Sequence, residues 1–350
     1  MSGVRCINKR MNKHEKKFMR LHRILKRTAA GILSGCMIFL AGCGRSVPYD
    51  YQTMRGADSV CGEAVNPMVV SQTNSVRERP FAYTLCLPAD VGDASKLEGN
   101  LEHAGLFDLK KKNTIYGSGL TERIYPASTT KLMTALVALK YGSPDQRITI
   151  SENAAYPGDD AQRLGLDPGD SMTLEQAINY LLVFSANDIA IAIAENVGGS
   201  YDKFVELMNK EAVNLGATGT HFTNPHGLHN DDHYTTPYDL YLILNAAASN
   251  KTIREILPKS SYNTTFTGED GDSKSIAVNA TDAYLTGDVE APEGITVIGG
   301  KTGTTDPAGH CLIIMSTNSK GNNYISVVMK AETTEELYTS MNSLLAEIPN

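Results

Sequence analysis

Apolar residues recur at helical spacing through the middle of the chain and at strand spacing towards its end. Within 128–141, Leu132, Met133, Leu136 and Val137 form one stripe before Gly142-Ser143-Pro144 stops the run, which predicts a largely buried helix. Thr173 with Gln176 three positions later forms a capping-box signature, and the apolar run behind it predicts a helix to about Phe184. Residues 186–197 are apolar almost all round and end at Gly198-Gly199, the pattern of a helix enclosed on every side. Residues 200–215 are amphipathic and stop at Gly216. Thr236-Pro237 opens a further helix, with proline at the first helical position, where its missing N–H costs no hydrogen bond. Beyond these the period changes. Residues 295–298, 311–316 and 324–330 are β-rich, the last two joined by Lys320-Gly321-Asn322-Asn323, a hairpin signal. Residues 333–347 then read as a closing amphipathic helix. Helices in the middle, strands near the end and a final helix returning to the sheet predict an α+β layered fold.

Charge divides the chain unevenly. Residues 1–42 carry ten Lys+Arg and a single acid, Glu15, leaving 22 basic and 38 acidic residues in the remainder, a formal net charge of −16. Such an acidic body argues against a nucleic-acid partner. Arg20, Arg23, Lys26 and Arg27 precede an apolar run over 29–41 that is too short to span a bilayer comfortably. It ends in Leu40-Ala41-Gly42-Cys43, which resembles the lipobox of bacterial lipoproteins, where the cysteine is lipidated and everything before it removed. The expectation is a signal peptide over 1–42, a lipid on Cys43 and attachment to the outer face of the bacterial cell membrane, an extracytoplasmic location; an uncleaved anchor is the alternative. Residues 43–79, rich in Ser, Asn, Gly, Pro and Val without sustained periodicity, suit a flexible tether. No second break or repeat follows, so 80–350 is expected to form one folded unit. The segment 81–103 has no assigned role. No C-x-x-C zinc spacing occurs, and a Cys61–Cys86 bridge would suit an exported protein.

Three short patterns could carry chemistry. A serine hydroxyl needs a neighbouring base, and a lysine serves if its surroundings favour the free amine. Ser128 and Lys131 stand nearly one helical turn apart on one face, at a helix start whose free N–H groups favour an oxyanion. Ser200 and Lys203 match the same spacing, but their helix carries a solvated face, so Ser200 reads as a helix cap. Ser-x-Asn occurs at Ser151, Ser185, Ser261, Ser316 and Ser340; Ser185 with Asn187 stands out because it joins two buried helical segments, where polar groups are costly unless they line a site or cap a helix. Lys301-Thr302-Gly303-Thr304, preceded by Gly299-Gly300, continues a strand, and such glycines mark a bulge or close backbone approach. An extended substrate could lie along that edge, with Lys301 facing a carboxylate and Thr302 offering a hydroxyl. A plain turn is the simpler alternative there. His226, His229 and His233 lie in a Pro/Gly-containing loop rather than a helical H-E-x-x-H, which argues against a metal site. Asn250, Asn263 and Asn279 match the glycosylation sequon, which means little beside a lipobox.

Taken in order, Ser128, Ser185 and Lys301 reproduce the triple signature of β-lactamases and penicillin-binding proteins. From about 104 to 347 the chain resembles the serine D-alanyl-D-alanine carboxypeptidases, the low-molecular-mass penicillin-binding proteins. The resemblance rests on Tyr125-Pro126-Ala127-Ser128-Thr129-Thr130-Lys131, Ser185-Ala186-Asn187-Asp188, Asn224-Pro225-His226-Gly227-Leu228 and Lys301-Thr302-Gly303. It implies a β-lactamase/transpeptidase-like fold: an antiparallel five-stranded sheet flanked by helices, with a mostly helical subdomain inserted over about 145–290. It also implies removal of the terminal D-Ala from peptidoglycan stem pentapeptides through an acyl-enzyme, with covalent binding of β-lactam antibiotics. Ser128 would be nucleophile, Lys131 general base, Ser185 and Asn187 proton relay and amide holder, and Lys301, Thr302, Gly303 and Thr304 the substrate-binding edge. Backbone N–H groups of Ser128 and Thr304 would form the oxyanion hole, without metal or organic cofactor. A β-lactamase is the nearest competitor, and the stretch 156–173 lacks an obvious Glu-x-x-x-Asn deacylation motif. A catalytically inactive wall-binding homologue is the other alternative.

Overall fold

In chain order, the computed structural model contains β1 (His103–Asp108), β2 (Asn113–Ser118), and a 3-10 turn (Ala127–Thr130) that runs into α1 (Lys131–Tyr141). There follow β3 (Arg147–Thr149), α2 (Glu152–Ala155), β4 (Ser171–Thr173), α3 (Leu174–Val183), α4 (Asn187–Gly198), α5 (Tyr201–Leu215), α6 (Pro237–Ser249) and α7 (Lys251–Ile256). The chain closes with β5 (Ser261–Thr267), β6 (Ser273–Asn279), α8 (Ala283–Thr286), β7 (Ile295–Thr305), β8 (Gly309–Asn318), β9 (Asn323–Ala331) and α9 (Thr334–Ala346). The structure describes residues 84–158 and 161–349. The expected leader over 1–42, Cys43, the tether over 43–79 and Cys61 lie outside the described residues.

The main sheet is antiparallel and five-stranded, in the order β2-β1-β9-β8-β7. Its middle strands are apolar at consecutive positions because both faces are covered, and side chains alternate between the faces. Leu312, Ile314, Tyr324 and Val328 meet Leu337, Met341 and Leu344 of α9. Their neighbours Ile313, Met315, Val327 and Met329 join the core formed by the central helices. Within that core α1 touches α3, α4, α5 and α6, so Leu132, Met133, Ala135, Val137 and Ala138 are all fully buried.

Local signals hold where they were strongest. Thr173 accepts from Gln176 N while Gln176 Oε1 accepts from Thr173 N, completing the capping box of α3. Ser200 caps α5 by accepting from Lys203 N, and Thr236 caps α6 ahead of Pro237. The inserted part is less purely helical than expected, since β3, β4, β5 and β6 form a second four-stranded sheet. The segment before β1 also gains a structural role. Cys86 N donates to Tyr241 Oη at 2.9 Å, Tyr238 Oη donates to Cys86 O at 2.7 Å, and Val91 exchanges two backbone hydrogen bonds with Gly117 on β2. Cys86 is a buried free thiol, and its possible partner Cys61 lies outside the described residues.

Candidate active site

Ser128 sits in the 3-10 turn rather than inside α1. The turn is held by its own threonines, with Thr129 Oγ1 donating to Pro126 O at 2.7 Å and Thr130 Oγ1 to Ala127 O at 2.8 Å. Ala127 is forced to φ 47°, a left-handed conformation that costs a residue with a Cβ roughly 1–3 kcal/mol. Two backbones close on this turn. A Cβ on Gly227, whose φ is 90°, would lie 1.9 Å from Ala127 O, and one on Gly303 would lie 2.8 Å from Ser128 N. Only glycine lets the 224–228 loop and β7 come so near Ser128.

Lys131 opens α1 with its side chain fully buried, and three oxygens surround Nζ: Ser128 Oγ at 2.9 Å, Asn187 Oδ1 at 2.7 Å and His226 O at 2.6 Å. The two carbonyl oxygens can only accept. A neutral amine has two N–H groups and one lone pair, so it commits its hydrogens to them and turns the lone pair towards the hydroxyl, the one partner with a proton to give. Burial drives the Lys131 pKa well below the ordinary lysine value, the positive charge of Lys301 adds to that, and Asp188 opposes it. Those shifts favour the neutral amine that a base requires.

The Ser-x-Asn residues reach the same place from α4. Asn187 is its first residue and Ala186 its N-cap, without a side-chain cap, so Ser185 does not cap this helix. Ser185 instead takes φ 69° and lines the cleft. Behind it, Asp188 Oδ2 accepts from Leu164 N at 2.8 Å and Gly165 N at 3.1 Å. That tie brings the preceding loop to the cleft, where Gln162 O accepts from Asn187 N at 2.8 Å.

The opposite wall is β7. Its register slips between Val297 and Gly299, and Gly299 takes φ 133° where a Cβ would lie 2.0 Å from Leu257 O, the bulge and close approach expected of the glycine pair. Thr302 Oγ1 lies 2.6 Å from Thr281 Oγ1. Lys301 is 1% exposed and donates to Thr302 O at 3.0 Å, which places its ammonium behind the cleft surface. Burial lowers its pKa to about 7 against the pull of Asp282, whose own carboxyl is raised to about 6 by burial. Ser128, Ser185, Asn187, Thr302, Gly303 and Thr304 together line one cleft of about 350 Å³.

The histidines of the 226–233 loop buttress this arrangement. His226 lends Lys131 its carbonyl, and its Nε2 lies 3.2 Å from Tyr201 Oη. His233 Nε2 lies 2.8 Å from Thr130 Oγ1. Burial lowers both imidazoles to about 3, so both are neutral at ordinary pH. Among the described residues no group of three or more His, Cys, Asp or Glu is placed to hold a metal ion. Sequence reasoning gave no part to Gln162, Thr281, His310, Thr334 or Tyr338, which also line the cleft. Their only signal is tertiary.

A five-stranded antiparallel sheet whose edge strand faces a serine hydrogen-bonded to a buried lysine is the architecture of the penicillin-binding DD-peptidases. Comparison with known proteins supplies the family: residues 93–333 match the one described as D-alanyl-D-alanine carboxypeptidase, and the chain belongs to it. It is 32% identical over 278 residues to the D-alanyl-D-alanine carboxypeptidase DacF of Bacillus subtilis, a match covering 76% of this chain and 66% of that protein. It is 33% identical over 220 residues to DacA of Haemophilus influenzae, covering 61% and 52% respectively. The chain thus spans about half to two thirds of the length of these curated relatives. The crystal structure of a Streptomyces DD-transpeptidase is similar with a TM-score of 0.65 at 26% identity, over 72% of this chain and 97% of that one.

Proposed function

We propose that this protein is a serine D-Ala-D-Ala carboxypeptidase that trims the terminal D-Ala from peptidoglycan stem pentapeptides and is acylated by β-lactams at the same serine. The observation that carries this reading is the fully buried Lys131 side chain, whose Nζ lies 2.9 Å from Ser128 Oγ and is held there by Asn187 Oδ1 and His226 O. Ser128 Oγ attacks the carbonyl of the penultimate D-Ala as its proton passes to Lys131. The oxyanion is received by the N–H groups of Ser128 and Thr304. Collapse breaks the peptide bond, and the departing amine takes a proton returned from Lys131 by way of Ser185. Asn187 holds the substrate amide, Gly303 admits its backbone to the strand edge, and Thr302 with the positive field of Lys301 attracts the terminal carboxylate. Water then attacks the ester carbonyl, losing its proton to Lys131; the bond to Ser128 Oγ breaks, Lys131 returns the proton to that oxygen, and the shortened peptide leaves with a new carboxylate, without a cofactor.

Incubated with fluorescent penicillin and, separately, with a pentapeptide ending in D-Ala-D-Ala, the protein should become covalently labelled and release D-alanine. Neither label nor D-alanine would point to an inactive wall-binding homologue. Rapid penicillin turnover without D-alanine would point to a β-lactamase.

The leader and Cys43 extend the proposal to an extracytoplasmic lipoprotein anchored to the outer face of the membrane, which brings the cleft to its wall substrate. Expressed in a bacterial host, a Cys43→Ala variant should lose the lipid mass and the membrane-bound fraction seen for the parent chain. Unchanged mass and fractionation would overturn the anchor.

A further inference from the structure

We infer that the outer face of the second sheet carries a binding site for an uncharged sugar chain, the glycan strand that bears the stem peptides; the identity of that chain rests on the carboxypeptidase reading. β3, β4 and β5 turn Ile148, Met172 and Phe266 into the core. Alternation sends their neighbours outward, so Thr149, Ser171, Thr267 and Ser273 stand directly opposite one another in a row of hydroxyls across all four strands. Among the described residues, β4 and β5 pair only at Ser171 and Thr267 of that row. Beyond it the strands part, and the Gln176 amide spans the opening. Its Oε1 accepts from Thr173 N at 2.9 Å, and its Nε2 donates to Thr264 Oγ1 at 3.0 Å and Thr265 O at 2.9 Å. The parting leaves a pocket of about 390 Å³, bounded by Asp145 and Arg147 on one side and by the turn joining β5 to β6 on the other. None of its lining residues belongs to the catalytic cleft.

The groups facing this pocket are mixed in kind. Arg147 gives one N–H to Ser171 Oγ and, among the described residues, keeps its other donors unused. The Thr265, Thr267 and Ser273 hydroxyls and the Asp272 carboxylate likewise make no hydrogen bond among the described residues. A guanidinium only donates, a carboxylate only accepts and a hydroxyl does both. A sugar ring matches that mixture, since each of its own hydroxyls donates and accepts. Other occupants fit worse. An anion would meet Asp145 and Asp272 beside the single cation Arg147. An added peptide strand needs a row of free backbone groups, and Gln176 already takes Thr173 N and Thr265 O. Position ties the pocket to catalysis. The 162–171 segment starts at Gln162 in the catalytic cleft and ends at Ser171 here, and Asp188 holds it through Leu164 N and Gly165 N. Its length limits the separation to about 30 Å. A stem of four extended residues covers about 13 Å of that, and the sugars on either side of its attachment point reach further.

Two measurements test this. Titration of the protein with an N-acetylglucosamine tetramer, which carries no peptide, should give saturable binding by calorimetry. Steady-state kinetics then compare D-alanine release from a free pentapeptide and from the same pentapeptide borne on uncross-linked glycan strands. Thr267→Val and Asp272→Asn, both at exposed positions, should each weaken tetramer binding and raise KM for the glycan-borne substrate by about fivefold, the scale of one lost hydrogen bond. kcat, and every parameter for the free pentapeptide, should stay unchanged. Failure of the parent protein to bind the tetramer, equal effects of the variants on both substrates, or no effect on either would overturn the inference. Binding of the tetramer without D-alanine release from either substrate would leave the sugar site standing and sink the carboxypeptidase reading instead.

Discussion

Alanine at position 128 should abolish D-alanine release and penicillin labelling together, lowering kcat by at least about 10,000-fold, the scale on which serine hydrolases lose activity with their nucleophile. The fold should survive the change. Ser128 Oγ touches Lys131, but Lys131 keeps Asn187 Oδ1 and His226 O as partners, and the threonine bonds that shape the turn do not involve the serine side chain. Intact-protein mass spectrometry after exposure to penicillin checks the result. A stoichiometric adduct on the variant would shift the nucleophile to another hydroxyl, Ser185 being the nearest by sequence pattern, and would refute the assignment.

Lys131→Arg should be nearly as damaging, with acylation slowed by about 100- to 10,000-fold, the range spanned by loss of a general base. Arginine keeps a cation and several donors, yet its guanidinium stays protonated at any working pH and has no lone pair for the Ser128 proton. The parent protein should show the matching pH dependence. A lysine can act as a base only when neutral, and burial with the nearby Lys301 charge has moved the Lys131 titration well below the ordinary lysine range. Acylation should therefore persist below the ordinary lysine range and decline as pH falls through the lowered pKa, because protonation removes the lone pair. A stopped-flow acylation profile read against pH decides the matter; a rate rising towards acid, or full activity in the arginine variant, contradicts a lysine base.

Much of this was legible before any coordinate because it depends on short-range rules. The capping box at Thr173 and Gln176, the caps at Ser200 and Thr236, and the β8–β9 hairpin each concern residues a few positions apart. β1 escaped because it is buried at every position and shows no alternation, while β3 and β4 are three residues each. β5 and β6 escaped because their surfaces are mostly polar, with Phe266 and Val278 as their buried positions. In the site, the spacing of Ser128 and Lys131 was readable, but its assurance was not. The carbonyl that fixes the amine belongs to His226, 95 residues away. Ser185 looked able to cap a helix, and its positive φ, a property of the chain path rather than of its identity, gives it to the cleft instead. His310 carries no motif at all, since its meeting with Thr334 exists only once β8 and α9 are folded together.

The order β2-β1-β9-β8-β7 leaves β2 and β7 as the two outer strands, and an outer strand is a template on which another chain can add. β2 meets that hazard with the Val91 bridge at Gly117, and the start of β7 is closed by its bulge and by Leu257. What remains open is the stretch beside Ser128, short and kept sterically tight by the turn that presses on Gly303. Among the described residues, strand addition is thereby opposed along β2 and at the start of β7, and the stretch of β7 beside Ser128 is where an extended chain could still pair.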